Sequence, residues 1–251
     1  MAASNLFGEL EIIDVAAGQS DYAHTFGGPP DREQAFPDHT HGIRLHLLHR
    51  FDLSDPLVPL SVPGLKWLPL YYVFDFRVNE VGYKLSSDSS MTTYFPSDDP
   101  NVSTEESWPS PDFPMEFTVH SVKVSTRLFD PSSLEESETW AGVFGIEHLN
   151  KKQRAKLRKR IEKHCKTFGM YPPSDDDLAE FLNSPFWQGP PKGTCLNPSC
   201  SNYRLSNTLN VFAIVPHDPI PGLEIWGGAD VQIIFEICPL CHTIRSTNQC
   251  G

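Results

Sequence analysis

Two cysteine pairs constrain this chain more than any other feature. Residues 195–200 read CLNPSC and residues 237–244 read ICPLCHTI, a C-x4-C pair and a C-x2-C pair with 37 residues between them. Paired cysteines at such short spacings, repeated once along a chain, are the pattern of tetrahedral thiolate sites. The Asn197-Pro198 step supplies a reversal inside the first pair. The second pair follows VQIIFEI, an apolar run that reads as a strand. Two such knuckles folded against one another present four soft sulfur donors, the set that suits zinc. The expected ligands are Cys195, Cys200, Cys238 and Cys241. Four thiolates close the coordination sphere and leave no position for water or substrate, so such a zinc would act as a structural staple.

Other readings of the same cysteines stay open at this point. CPLCH at 238–242 matches the C-x-x-C-H string of haem attachment, which requires export. A redox pair would sit at a helix start, and the HTIRSTNQC that follows has no helical period. Four buried, unliganded thiols are the plainest alternative. Cys165 falls on a helical stripe and reads as core, whereas Cys250 either packs or stays a free thiol, with replacement of one of the four ligands as the alternative. A dication with four thiolates would leave the site at −2 by charge count. Lys192, Arg204, His242 and Arg245 lie near enough in sequence to offset it.

The rest of the chain sets the context. A length of 251 residues allows one large domain or two small ones, either with a sizeable core. Its 23 prolines argue for many turns rather than a helical bundle. The opening MAASNLFGELEIIDVAAG has early acids and no basic region, and no apolar run reaches the length of a membrane span. A cytoplasmic location is therefore expected, where clustered cysteines are metal ligands more often than disulfides. The net charge of −12 argues against nucleic acid as a partner. One stretch differs: 151–166 holds nine Lys/Arg against one acid, Glu162, so it carries +8 and the remainder of the chain −20.

Periodicity places strands at 43–53, 68–76, 115–124, 208–215 and 231–238. In the first, Ile43, Leu45 and Leu47 alternate with Arg44 and His46, as in a strand with one buried face; 68–76 is continuously apolar, as in a central strand. Residues 86–114 read as a long acidic Ser/Pro loop with a short strand at 91–95. A helix is expected over 150–168, capped by the Asn150/Gln153 pair, with Leu157, Ile161, Cys165 and Phe168 on its apolar stripe. A second short helix is expected from Asp175 to about Asn183.

The chain also echoes itself. FGGPP at 26–30 and VFDF at 73–76 return as WQGPP at 187–191 and IFEI at 234–237, both offset by 161; PGL at 63–65 returns at 221–223, offset by 158. The shared order points to an internal duplication. With FPDHTHGIRLHLLHRFDLSD and PGLKWLPLYYVFDF, the N-terminal run resembles the YwqG-like family of bacterial proteins. The resemblance covers 24–85 and reaches the C-terminal half through the echo. It departs at Arg50-Phe51, where family members usually carry Gln near the DLS-like turn. It implies a duplicated, mainly β fold, supplies no established activity, and allows a role like that of the immunity proteins found beside secreted toxins.

Three further features are candidates for function. His24, His39, His41, His46 and His49 cluster in 26 residues, and His39/His41/His46/His49 with Asp38, Asp52 or Asp75 could form a second metal or acid–base site. Asp75 and Glu236 interrupt apolar strands at equivalent places in the echo. The basic stretch 151–166 could meet phosphates or an acidic partner. No P-loop, dinucleotide fingerprint, nucleophile elbow, H-E-x-x-H or deaminase signature occurs.

The expected fold is α+β, mainly antiparallel β with an internal duplication, one long basic helix, and a zinc-ribbon-like four-cysteine site in the C-terminal half. Its parts are a β-rich half (1–130) containing the acidic loop 86–114, a helical connector (131–186), and a C-terminal β half with the knuckles (187–251). The expected function is non-enzymatic: a zinc-stabilised binding protein, immunity-like or regulatory, that meets a protein partner through an acidic surface centred on 86–112 or 175–180. An enzyme built on the histidine region and nucleic-acid binding through 151–166 are the alternatives.

Overall fold

The computed structural model describes residues 4–8, 11–30, 44–75, 78, 80–96, 113–126, 143–144, 148–167, 169, 171, 191, 193–226 and 231–250. Among these, eleven strands form one antiparallel sheet: β1 (Ser4–Phe7), β2 (Ile12–Ala17), β3 (Thr25–Phe26), β4 (His46–Asp52), β5 (Trp67–Tyr72), β6 (Glu80–Ser87), β7 (Ser90–Tyr94), β8 (His120–Thr126), β9 (Asn210–Val215), β10 (Val231–Ile237) and β11 (Ile244–Cys250). Their order is β5-β4-β3-β8-β2-β1-β9-β10-β11-β6-β7. The pairings β1–β9 and β11–β6 interleave strands from the two ends of the chain. No described helix is long and apolar enough to cross a membrane.

The sheet curls into a half-barrel around one large aromatic core that includes Phe26, Phe51, Tyr71, Phe74, Tyr83 and Phe235. A smaller cluster of Phe7, Ile12, Ile214 and Ile234, with Val143 and Phe144 packed against it, forms a second core. The larger core also corrects the expectation for β4. Its residues are buried on both faces, because His46 is enclosed by Phe74, Phe113 and Phe117 rather than facing solvent.

The apolar run at 68–76 differs from expectation as well. β5 is fully buried, yet it is the last strand in the sheet order. Among the described residues, its outer edge is met by side chains instead of a ladder. The Tyr83 hydroxyl accepts the Tyr71 N–H (3.2 Å) and donates to the Pro69 carbonyl (3.0 Å), and Asp88 Oδ1 accepts the Lys66 and Trp67 N–H groups at 2.8 and 2.9 Å. Pro69 carries the sequence signal for this, since a residue without an N–H belongs on an edge. Buried main-chain groups require partners, and here a phenol and a carboxylate supply them.

Residues 86–94 are also more ordered than an acidic loop: β6 and β7 form a hairpin turning at Asp88-Ser89. The strand expected over 115–124 starts later, at His120, and leaves Met115 exposed. Helix α1 (Lys151–Thr167) matches its expected span and cap. Asn150 Oδ1 accepts the Lys152 and Gln153 N–H groups, and Gln153 Oε1 accepts the Asn150 N–H at 2.8 Å. Leu157, Ile161 and Cys165 form its buried stripe, and Phe168 and the short helix expected at 175–183 lie outside the described residues.

Candidate metal centre

The four expected ligands meet. The sulfurs of Cys195, Cys200, Cys238 and Cys241 all lie within 4.8 Å of one another. Two contacts run between the pairs: Cys195 Sγ to Cys241 Sγ is 3.5 Å and Cys200 Sγ to Cys238 Sγ is 3.8 Å. A tetrahedron of ~2.3 Å metal–sulfur bonds has S···S edges of about 3.8 Å, so the cluster already has the dimensions of a four-thiolate shell. Disulfide sulfurs would lie at ~2.05 Å, and all four cysteines are free thiols. Among the described residues this is the one group of three or more His, Cys, Asp or Glu side chains gathered closely enough to hold a metal ion.

Each knuckle is built by local hydrogen bonds. In the first, Asn197 folds the chain back as an Asx turn, its Oδ1 accepting the Ser199 N–H (3.0 Å) and its carbonyl the Cys200 N–H (3.0 Å). The Arg204 N–H then returns to the Cys195 carbonyl (3.1 Å). The second knuckle is the turn between β10 and β11, closed by His242 N–H to Cys238 O and Cys238 N–H to Thr243 O, both 2.9 Å. His242 adopts a left-handed backbone (φ 58°) to make that closure. The CPLC pair thus sits between strands, and Cys238 is wholly buried with its sulfur turned into the cluster. That placement gives neither a helix-start redox pair nor a cysteine presented to a haem.

Tertiary packing brings the knuckles together. β10 and β11 pair over their whole length and hold the second knuckle at their joint end. The first knuckle rests on β6 through Leu196: a Cβ on Gly82 would lie 2.8 Å from Leu196 Cβ, so that strand position has no room for a side chain. Just upstream, Gly193 lies on an ion-pair triad in which Arg245 of β11 binds both Glu80 of β6 and Glu236 of β10. A Cβ on Gly193 would come within 2.7 Å of Arg245 Nη1 and closer still to the Glu236 carboxylate. Glu236 is only 1% exposed. Burial pushes its carboxyl above the usual range, and Arg245 opposes that shift without reversing it.

The sulfurs are not alike. Burial drives the Cys195 thiol well above the ordinary range, and the neighbouring Cys241 sulfur adds to the effect. Burial also raises Cys200, with the adjoining thiols contributing. Cys241 would be raised by burial too, but hydrogen bonds from Thr243 and contacts with Cys200 and Cys195 hold it down at about 7. Tyr94, at the end of β7, faces the same cluster; burial raises its phenol first, and charge on Cys241 and Cys195 raises it further.

Of the cations expected to offset the site, three fall among the described residues. Arg245 is bound to Glu80 and Glu236, Arg204 lies over the Tyr203 ring at 5.0 Å, His242 is exposed, and Lys192 lies outside the described residues. Neutral donors face the sulfurs instead. Asn202 N–H points to Cys200 Sγ (3.4 Å), Asn202 Nδ2 to Cys238 Sγ (3.6 Å), and the Thr243 hydroxyl lies 3.1 Å from Cys241 Sγ. Reading the residues one type at a time missed both donors. The signal was their shared spacing, each two positions after a cysteine, in Cys-Ser-Asn and Cys-His-Thr. Cys165 is buried on α1, and Cys250 is exposed at the end of β11, outside the cluster.

The histidines do not form a second site among the described residues; His39, His41 and Asp38 lie outside them. His46 and His49 are core rings. Burial lowers His46 to about 4 and His49 to about 3, so both are neutral at ordinary pH. His24 Nδ1 accepts the Asp52 N–H (3.0 Å), which puts its proton on Nε2, facing Asp55 at 2.8 Å. Together with the Ser54 hydroxyl on Asp52 (2.6 Å), this fastens the DLSD turn. Asp75 sits half-buried in an isolated bridge with Val78, unlike its counterpart Glu236. Most of the acidic stretches at 86–112 and all of 175–180 lie outside the described residues. No family model, curated protein or solved structure matches the chain, so the four-sulfur centre rests on its own geometry.

Proposed function

We propose that this chain is a non-enzymatic binding protein whose C-terminal half is stapled by one structural zinc ion on Cys195, Cys200, Cys238 and Cys241. The observation that carries the reading is the four sulfurs within 4.8 Å, drawn from two knuckles that separate elements hold in place. Four thiolate donors favour zinc and leave no open coordination position for catalysis. The neutral, core-bound His46 and His49 favour the binding role over acid–base chemistry. The partner is a basic protein met by an acidic surface in a reducing, cytoplasmic setting, since a net charge of −12 speeds encounter with such a partner. An immunity-like role is the specific version suggested by the YwqG-like resemblance.

An internal duplication belongs to the same proposal. The turns at 62–65 and 220–223 share a central Pro-Gly with left-handed glycines, Gly64 at φ 81° and Gly222 at φ 82°. They are closed alike, Leu65 N–H to Val62 O at 3.2 Å and Leu223 N–H to Ile220 O at 2.9 Å. Each joins an antiparallel pair, β4–β5 in one case and β9–β10 in the other.

Elemental analysis of protein purified from zinc-supplied cells tests the metal. One zinc per chain, lost in Cys195→Ser and in Cys238→Ser, is expected; a zinc-free wild type, or zinc retained by both variants, refutes the staple. Affinity capture at low and high salt tests the partner, with salt-sensitive recovery of a basic protein expected.

A further inference from the structure

We propose that Asn202 is the positioning residue of the metal centre, binding one sulfur of each knuckle and so setting how tightly the four thiolates hold their ion. The inference rests on the zinc reading above and extends it to a residue outside the ligand set. Asn202 belongs to the first knuckle, yet it reaches both. Its backbone N–H lies 3.4 Å from Cys200 Sγ, and its carboxamide nitrogen lies 3.6 Å from Cys238 Sγ across the gap. The loop fixes it in place, since Asn202 O accepts the Leu205 N–H at 3.1 Å and the adjacent Tyr203 N–H bonds Cys200 O at 2.9 Å.

Electrostatics give this contact its weight. Four thiolates around a dication carry a net negative charge in a site where Cys195 and Cys238 are buried. Arg245, packed against Gly193 just upstream of the first knuckle, is bound to Glu80 and Glu236. Dipoles aimed at sulfur meet part of that charge, and the carboxamide can do so only through its NH2 end, because an oxygen turned toward a thiolate would be repelled. The same contact tethers the first knuckle to Cys238, so that metal entry finds the sulfurs already opposed.

Three variants test this on the full-length protein: Asn202→Ala, which removes the side-chain donor, Asn202→Asp, which replaces it with a near-isosteric carboxylate, and Ser201→Ala as an exposed neighbour. Zinc affinity is read by competition with a chromophoric chelator, and the sulfur environment by the thiolate-to-metal absorption of the cobalt(II) form. Loss of an outer hydrogen bond to a ligand weakens metal binding about 10–100-fold. Asn202→Ala is expected near the lower end and Asn202→Asp near the upper, both with the cobalt band moved to longer wavelength, while Ser201→Ala stays within about twofold of wild type. If Asn202→Asp does not fold, Asn202→Ala and its cobalt band decide the matter. A wild type that takes up zinc, with Asn202→Ala within twofold of it or weakened with the band unmoved, overturns the role of Asn202 alone. A wild type that takes up no zinc overturns this inference together with the staple.

Discussion

Replacing Arg245 by Met probes the triad beside the four-cysteine cluster. In the wild type Arg245 serves two carboxylates, and of these Glu236 is 1% exposed whereas Glu80 is 21% exposed. Met keeps most of the side-chain volume but leaves the Glu236 carboxylate buried without its cation. Removing one partner of a buried pair costs about 3–5 kcal/mol. At ~2–4 °C per kcal/mol for a chain of this size, the melting temperature should fall by roughly 6–20 °C. Glu80 should contribute little, because water can solvate it once released.

The pH dependence identifies the cause. Burial already holds the Glu236 carboxyl above its ordinary value of 4.5, and removing Arg245 takes away the main opposing influence. For a group whose folded-state pKa is raised, the protonated form's contribution is whole below the unfolded value and is lost as pH rises through the folded one. The gap between Arg245→Met and wild type should therefore be small near about pH 5 and widen toward about pH 8. Adding Glu236→Gln, which cannot ionise, should recover most of the loss. Chemical denaturation of the four members of this cycle, with zinc saturated at each pH, measures it. A gap that stays constant over that range, or a Glu236→Gln that recovers nothing, would refute the reasoning.

Other consequences follow from the same geometry. Chelation should lower the melting temperature by about 8–16 °C, since a ligand at a thousand times its Kd stabilises by about 4 kcal/mol; scanning calorimetry with and without chelator reads this, and Cys195→Ser should respond to neither treatment. His49 titrates near 6.5 when exposed and about 3 when folded, so the stability its neutral ring secures is whole above 6.5 and lost as pH falls toward 3. That linkage amounts to about 5 kcal/mol, and His49→Asn should flatten the acid side of the stability–pH curve. Tyr83→Phe should cost about 2 kcal/mol by stranding the Tyr71 N–H and the Pro69 carbonyl. Hydrogen exchange should show faster exchange at Tyr71, while an unchanged Tyr71 amide would mean that another group seals the edge of β5.

Much of the local structure was legible because it depends on neighbours in sequence. The Asn150/Gln153 cap, the Asn197-Pro198 reversal and the strands β4, β5, β9 and β10 were all visible as short-range patterns. The strands that went unread are β1, β2, β3, β6 and β11. β11, IRSTNQC, has so few apolar residues that periodicity carries no signal; it is a strand because β10 and β6 supply ladders on both sides. The echo suggested like roles for Asp75 and Glu236, but Glu236 lies inside a strand opposite an arginine and Asp75 in an isolated bridge with Val78. Local similarity says nothing about what will face a carboxylate across the sheet.

By itself the sequence determined which atoms could bind a metal and how each pair would turn, because a knuckle is closed by hydrogen bonds within a few residues. Tertiary structure alone decided that the two knuckles meet. That depends on β11 lying between β10 and β6, on a glycine at 82 admitting Leu196, and on Asn202 crossing from one knuckle to the other. A sulfur's coordination partners are fixed by distances of a few ångströms, and across a 37-residue gap only the folded sheet sets them.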